Sequence, residues 1–276
     1  MRFRFLTITF IILSLLSGCY GKDCITKQTT NPRHLKRLLK TSNCPGCNLG
    51  DANLRGVNLK GANLSKANLV KANLDGADLR GANLSQAQLS WYDVDAGWGT
   101  RNSCNVILYA SLKNANLENA NLENANLVKA SLDGANLVKA SLKNAILTGA
   151  DMEEANLEIA NLEAAKLNGA NLERTKLKKA SLKSANLRSI NLVKADLRET
   201  NFIEANLHRA DLSEANLEGA NLQGASLPSA NFKNANLLNA IIPEYRPKFF
   251  QDPLVPPNLE GAIMPDGTVY QGDSQK

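Results

Sequence analysis

Leucine recurs at every fifth position along most of this 276-residue chain, and alanine precedes it by two positions in nearly every quintet. A first series runs from Leu49 to Leu89, and a second runs from Leu112 to residue 242. The second series has 27 leucine positions, and its four exceptions are also apolar: Met152, Phe202, Phe232 and Ile242. The pattern therefore predicts one small structural unit that is repeated many times.

A period of five excludes the two regular secondary structures. On an α-helix, five residues rotate the chain by about 140°, so the leucines would spiral around the rod. On a flat strand, every second leucine would face water. Alanine and leucine can share an inward face only if the chain turns a corner after each quintet. The corner positions often hold Gly or Asn, as at Gly56 and Asn114, and these residue types tolerate tight turns.

This A-N-L-x-x pattern resembles the pentapeptide-repeat family over about residues 47–242, with a remnant near Leu259 and Met264. The resemblance implies an all-β fold: a right-handed quadrilateral parallel β-helix in which four quintets form one coil. Roughly nine coils stacked at about 4.8 Å would make a rod on the order of 45 Å long. Stability in such a stack comes from contacts between neighbouring coils, since one coil cannot bury a core.

The repeat pattern divides the chain into six segments. They are a signal peptide (1–18), a linker with a capping helix (19–46), a first array (47–89), an interrupting loop (90–106), a second array (107–242) and a C-terminal cap and tail (243–276). The separation between Leu89 and Leu112 is not a multiple of five, which predicts a break in register.

A short helix is predicted just before the repeats. Asn31 is suited to the N-cap and Pro32 to the first turn of a helix that continues to Lys40. We expect its leucines to cover the open end of the first coil, because uncovered strand edges are prone to association. Those leucines are Leu35, Leu38 and Leu39.

The N-terminus has the features of an export signal. Basic residues precede an apolar run from Phe5 to Leu16, which is too short for the roughly 20 residues of a membrane-spanning helix. The run ends in Leu-Ser-Gly-Cys19, which resembles the bacterial lipobox and implies lipidation of Cys19. The alternatives are an uncleaved anchor and an ordinary cleavable signal. The expected location is the bacterial cell envelope, as a lipid-anchored periplasmic protein.

Four further cysteines are candidates for disulfides. An even number of cysteines in an exported protein favours such bonds, although their pairing stays open. The C-x-x-C spacing could also be half of a metal site or a redox pair. A second C-x-x-C and a surrounding βαβ pattern are missing from the sequence, which favours a structural bridge. The four candidates are Cys24, Cys44, Cys47 and Cys104.

The interrupting loop carries both tryptophans of the chain. One interpretation is a partner-contact loop with aromatic anchors. The other is that the aromatic rings shield the core where the coils meet imperfectly. The candidate contact residues are Trp91, Tyr92, Trp98 and Arg101.

Charge argues against a nucleic-acid partner. The net charge is +6, but residues 1–47 carry eight Lys or Arg against one acid, whereas residues 48–242 carry 21 basic against 20 acidic residues. A nearly neutral body gives no broad footprint for nucleic acid. Some family members mimic DNA and inhibit topoisomerases, which is the alternative function; the acidic rod that this requires is interrupted here by lysines.

Catalysis is not expected from this sequence, and neither a cofactor nor a metal site is indicated. A core of alanine and leucine leaves no cavity for acid–base groups, and His208 is an isolated imidazole on the outside. The predicted function is an exported, lipid-anchored scaffold that contacts an unidentified protein or envelope component. This prediction follows from the resemblance, because a fold alone does not fix function.

Overall fold

The computed structural model describes residues 29–91, 108–242 and 256–271, and the structural statements below concern these ranges. Within them, the quintets share one local shape. The alanine and leucine side chains are buried, the residue between them faces outward, and the last two residues form a turn. We call the five places of a quintet the Ala, Asn, Leu, fourth and fifth positions.

The corner of each quintet is a hydrogen-bonded β-turn. The amide of Ala52, for example, donates to the carbonyl of Leu49 at 3.0 Å. The fifth position has a positive φ, as at Asn124 with 57° and Gly134 with 64°. A left-handed residue at the third place of the turn is the requirement of a type II turn. This requirement explains why Gly and Asn are common at the fifth position.

Successive coils are joined by parallel backbone pairing between Asn positions that lie four quintets apart. In the pair of Asn48 and Asn68, the amide of Leu49 donates to the carbonyl of Asn68 at 2.8 Å. The amide of Asn68 donates in turn to the carbonyl of Cys47 at 2.9 Å. Neighbouring coils therefore satisfy each other's backbone hydrogen-bonding groups, as adjacent strands do in an ordinary sheet.

Four ladders of this kind make the four sides of a solenoid. The ladder that begins at Asn43 has ten rungs and ends at Ile241. Nine steps of about 4.8 Å give a described length of about 43 Å, close to the length expected from the sequence. We call the sides the first, second, third and fourth faces, according to the residue that begins each ladder: Asn43, Asn48, Asn53 and Asn58.

The stack continues across the interruption between the two arrays. Asn73 pairs with Ser111, so the sequence interval between rungs widens for one coil and then returns to four quintets. The inserted segment lies at the corner between the second and third faces, and it leaves and returns through two antiparallel strands, β1 (Ser90–Trp91) and β2 (Leu108–Tyr109). This strand pair closes the insertion at its base. The predicted break in register is therefore present in the sequence, but the coils before and after the insertion stack without a shift.

A helix covers the start of the stack. Helix α1 (Pro32–Thr41) has Asn31 as its N-cap, and Leu38 is fully buried beneath it. The expectation that Leu39 lies on the covering side is wrong, because its side chain is 57% exposed. One residue along a helix rotates the side chain by about 100°, which turns Leu39 away from the contact that Leu38 makes.

The C-terminal end contains a second insertion. Asn231 pairs with Asn258, an interval wider than four quintets, so the remnant of the repeat around Leu259 is a further part of the stack. Ile263 continues the fourth ladder and also pairs with Val269 in antiparallel fashion, which places a hairpin over this end. Part of the segment predicted as cap and tail (243–276) is therefore repeat.

The interior is a column of alanine and leucine with two polar substitutions that are satisfied by the backbone. Thr175 and Thr200 replace alanine and are fully buried. Their hydroxyls donate to the carbonyls of Leu172 at 2.7 Å and Leu177 at 2.8 Å. Within the described residues, no Asp, Glu, Lys, Arg or His side chain is buried in this column.

Candidate interaction surfaces

The Asn position has a structural task that the sequence analysis missed. The Oδ1 atom of Asn171 accepts from the amide of Glu173 at 3.3 Å and from the side-chain amide of Asn191 at 3.0 Å. Its own Nδ2 donates to Asp151 at 3.1 Å. One asparagine thus caps its own turn and links the coils on both sides. The sequence does contain a signal for this role. Asn, Asp or Ser prevails at this position, whereas a position that was merely exposed to solvent would accept many residue types.

The C-x-x-C motif spans the corner between two successive quintets of the repeat. Cys44 occupies a Leu position and Cys47 the next Ala position, with the turn at Pro45 and Gly46 between them. The two sulfurs are bonded to each other, and both residues are buried. Pairing of the coils accordingly begins at Asn43 rather than at the predicted boundary of residue 47, because cysteine conceals the repeat.

His34 is a structural residue of the N-terminal cap. Its Nδ1 atom accepts from the amide of Asn48 at 2.9 Å, and the amide of Asn31 donates to the carbonyl of Asn48 at 3.1 Å. In later coils, the amide of the Asn position donates to the backbone of the preceding coil. The cap therefore supplies the partners that a preceding coil would have supplied.

Most candidate contact and modification residues lie outside the described ranges. Trp91 belongs to β1, but its side chain is not described. The roles of the others stay predictions. Those outside are the loop residues Tyr92, Trp98 and Arg101 and the cysteines Cys19, Cys24 and Cys104.

Ion pairs join neighbouring coils on all four faces, and most of them lie on the third and fourth faces. Lys143 on the first face lies 3.3 Å from Glu163 in the next coil. On the third face, Arg174 contacts three carboxylates, those of Glu153, Glu154 and Glu173. Most of these exposed pairs join neighbouring coils, which explains why the outer ladders of acids in the sequence do not build an acidic rod.

Two Asp–Arg pairs on the fourth face share one geometry. Asp78 accepts from Nε of Arg80 at 2.9 Å and from Nη2 at 2.7 Å, and Asp196 is held in the same way by Arg198. The side-chain hydrogen bonds from Arg80 lower the pKa of Asp78 to about 2. The guanidinium of Arg198 likewise lowers the pKa of Asp196. Both carboxylates therefore remain charged well into the acid range.

The second face differs from the other three in its charge. Within the described residues it carries one carboxylate, Asp51, which pairs with Lys71 at 3.2 Å. The other described carboxylates of the repeats lie on the remaining faces. This difference between the faces was not predicted, because the charges were counted over residues 48–242 as a whole.

The described residues contain no group of three or more His, Cys, Asp or Glu side chains that could hold a metal ion. In the same ranges, no helix has the length and apolar character needed to cross a membrane.

A sequence profile of pentapeptide repeats matches the chain in eight copies. The matched ranges are 42–91, 110–149, 125–158, 155–192, 180–219 and 210–242. Comparison with curated proteins finds no match.

Solved structures of pentapeptide repeat proteins are similar to the chain. One is HetL from the cyanobacterium Nostoc sp. strain PCC 7120, which is described as involved in heterocyst differentiation regulation. HetL is 30% identical to this chain, and the alignment covers 88% of this chain and all of HetL with a TM-score of 0.45. Rfr23 from the cyanobacterium Cyanothece 51142 is 27% identical over 66% of this chain and 96% of its own, with a TM-score of 0.22. QnrB1, a plasmid-mediated fluoroquinolone resistance protein, is 18% identical over 67% of this chain and 79% of its own, with a TM-score of 0.38.

Proposed function

Since the chain belongs to the pentapeptide repeat family, we propose that it is a non-catalytic scaffold that binds a protein or another envelope component through its outer faces. The proposal includes the right-handed winding that the family resemblance implies. It assigns no cofactor, no catalytic residue and no nucleic-acid partner.

The composition of the interior is the observation that carries this proposal. Alanine and leucine fill the column, and the buried hydroxyls of Thr175 and Thr200 are bonded to backbone carbonyls. Acid–base catalysis needs titratable groups held in a site that is partly removed from water. Here the titratable side chains of the described repeats lie on the outside, where a rigid rod presents them at fixed spacing.

Proximity labelling in living cells tests the scaffold. The full-length chain, fused at its C-terminus to a labelling enzyme, should enrich a small, reproducible set of proteins relative to the same enzyme exported alone. A labelling pattern identical to that of the exported enzyme would contradict the proposal.

We further propose that the chain is exported and anchored by a lipid on Cys19. The support is the position of Cys19 at the end of a short apolar run. Metabolic labelling with a radioactive fatty acid should mark the native chain and Cys24→Ser, and it should fail to mark Cys19→Ser. Equal labelling of the two cysteine variants would refute the anchor, and an unlabelled native chain would do the same.

The alternative function, mimicry of DNA against a topoisomerase, has little support on the surface. Several carboxylates of the first and third faces are paired with lysine and arginine in neighbouring coils, as in Lys143–Glu163. The purified chain should therefore leave the supercoiling activity of gyrase unchanged. Inhibition at physiological salt would replace the scaffold proposal with this one.

A further inference from the structure

The second face carries exposed cations that form no ion pair in the part of the chain that the structure describes. Lys129, Lys166, Arg188 and Arg209 are exposed, and among the described residues none of them forms an ion pair. All four project from coils whose second-face quintets contain no Asp or Glu. On the other faces, several lysines meet acids of the next coil, as Lys194 meets Glu214 at 3.6 Å. Lysines of the described residues that lack an ion pair there, such as Lys139 and Lys183, share their face with carboxylates. The positive charge of the second face therefore stays available to a partner.

The spacing of these cations follows from the stack. Lys166, Arg188 and Arg209 lie on three successive coils, and Lys129 lies two coils before Lys166. The distance from the first to the last of these coils is about 19 Å at about 4.8 Å per step. An extended peptide of about six residues has the same length at about 3.3 Å per residue. The charges thus match a short acidic segment that lies along the rod.

The backbone beneath the cations is held in place before any partner arrives. The amide of Arg188 donates to Asn186 at 3.2 Å, and the amide of His208 donates to Asn206 at 3.1 Å. The same stretch of the face also presents uncharged groups, for example Thr148, whose hydroxyl donates to Asn168 at 3.0 Å. Cations interleaved with uncharged polar side chains suit a protein segment, whereas a headgroup layer would require charge alone.

We propose that the second face, from Lys129 to Arg209, binds an acidic segment of a partner protein. The inference rests on the proposed scaffold function and specifies the surface and the chemistry of its partner. Association should weaken as salt rises, because exposed charges are screened beyond about 10 Å at 0.1 M ionic strength.

A binding measurement with a defined probe tests the proposal. The probe is a fluorescein-labelled decapeptide of alternating glutamate and serine, and its anisotropy is measured against the purified full-length chain. The triple variant Lys166→Ala/Arg188→Ala/Arg209→Ala should bind it about tenfold more weakly, since three exposed charge contacts are lost. The control Lys176→Ala/Lys178→Ala/Lys179→Ala removes the same charge from the fourth face and should stay within about twofold of the native affinity.

Four results would overturn the proposal. The native chain could fail to bind the peptide, or both triple variants could weaken binding equally, which would show that net charge and not the second face is responsible. Phosphatidylglycerol vesicles could bind through the same three residues more tightly than the peptide, which would make the occupant a membrane. Circular dichroism establishes that each variant is folded. A partner recovered by proximity labelling whose binding ignores the second-face variant would leave the scaffold standing and remove only this surface.

Discussion

The fifth position of the quintet offers a test of stability. Removing a methyl group there should stabilise the protein, and adding one should destabilise it. Ala164 and Gly169 occupy this position at successive corners, with φ of 55° and 67°. Both are exposed, and a Cβ atom built on Gly169 meets nothing within 4 Å. Their amides donate to the carbonyls of Lys183 and Arg188, both at 2.9 Å, and neither bond needs a side chain.

The magnitude follows from backbone conformation alone. A Cβ atom in the left-handed region costs about 1–2 kcal/mol, and glycine loses about 0.5–1 kcal/mol through its greater freedom in the unfolded chain. Ala164→Gly should therefore stabilise the protein by about 0.5–1 kcal/mol, and Gly169→Ala should destabilise it by about the same amount. The double variant has the native composition and should lie within about 0.5 kcal/mol of the native stability.

Urea unfolding followed by far-ultraviolet circular dichroism measures these free energies on the purified chain. Glu163→Gly is compared with Glu163→Ala as the control at the fourth position beside Ala164. Both variants lose the ion pair with Lys143, and φ there is not in the left-handed region, so the glycine variant should be less stable than the alanine variant by about 0.5–1 kcal/mol. The reasoning would be refuted if Ala164→Gly destabilised as much as the change from alanine to glycine at position 163, or if Gly169→Ala were neutral.

Three further predictions test the core, the ladder of asparagines and the charged corner. Leu157→Ala should lower the free energy of unfolding by about 2–5 kcal/mol through the cavity that it opens. The control Glu158→Ala should change this free energy by less than about 0.5 kcal/mol. A small effect of Leu157→Ala in urea unfolding would contradict the packed column. Asn171→Ala should cost about 1–2 kcal/mol in the same assay because two coils lose a hydrogen bond, and the control Gln223→Ala, exposed on the first face, should cost little. The pKa of Asp78 should be about 2 by carboxyl-detected NMR and should rise toward 3.8 in Arg80→Gln. Because the folded pKa is depressed, the stabilising contribution of Asp78 is present above about pH 4 and is lost as pH falls toward 2; an unchanged pKa in Arg80→Gln would contradict the role of the guanidinium.

The period of five was sufficient to predict the course of the backbone. It demands a corner after each Leu position, and the structure has that corner, with the left-handed residue that Gly56 and Asn114 indicate. The start of helix α1 at Asn31 and Pro32 could also be predicted from the sequence, because capping depends on local residues only. The exposure of Leu39 was not predicted, because adjacent helix residues differ by about 100° and the sequence did not indicate which of Leu38 and Leu39 faces the coil.

The alignment of the faces across the insertion required the structure. Residues on one face recur every four quintets except where an insertion intervenes, so counting from Val70 at that interval reaches Ser90 and then misses Val128. Within the second array the interval is constant, so counting from Val128 meets no carboxylate and that part of the second face could be predicted from the sequence. Its continuation through the first array required the corner at which the insertion leaves. Cys44 posed a related difficulty, since nothing in its residue type marks it as a Leu position.

Site-specific photo-cross-linking in cells tests the scaffold most directly. The fourth positions of one circuit of the solenoid, replaced one at a time by a photoreactive amino acid, place the same probe on each face: Glu163, Asn168, Glu173 and Lys178 on the first, second, third and fourth faces. We predict a protein adduct of defined mass from position 168 and little from the other three. Adducts from the other faces alone would contradict the choice of the second face, and the absence of an adduct from all four positions would contradict the scaffold itself.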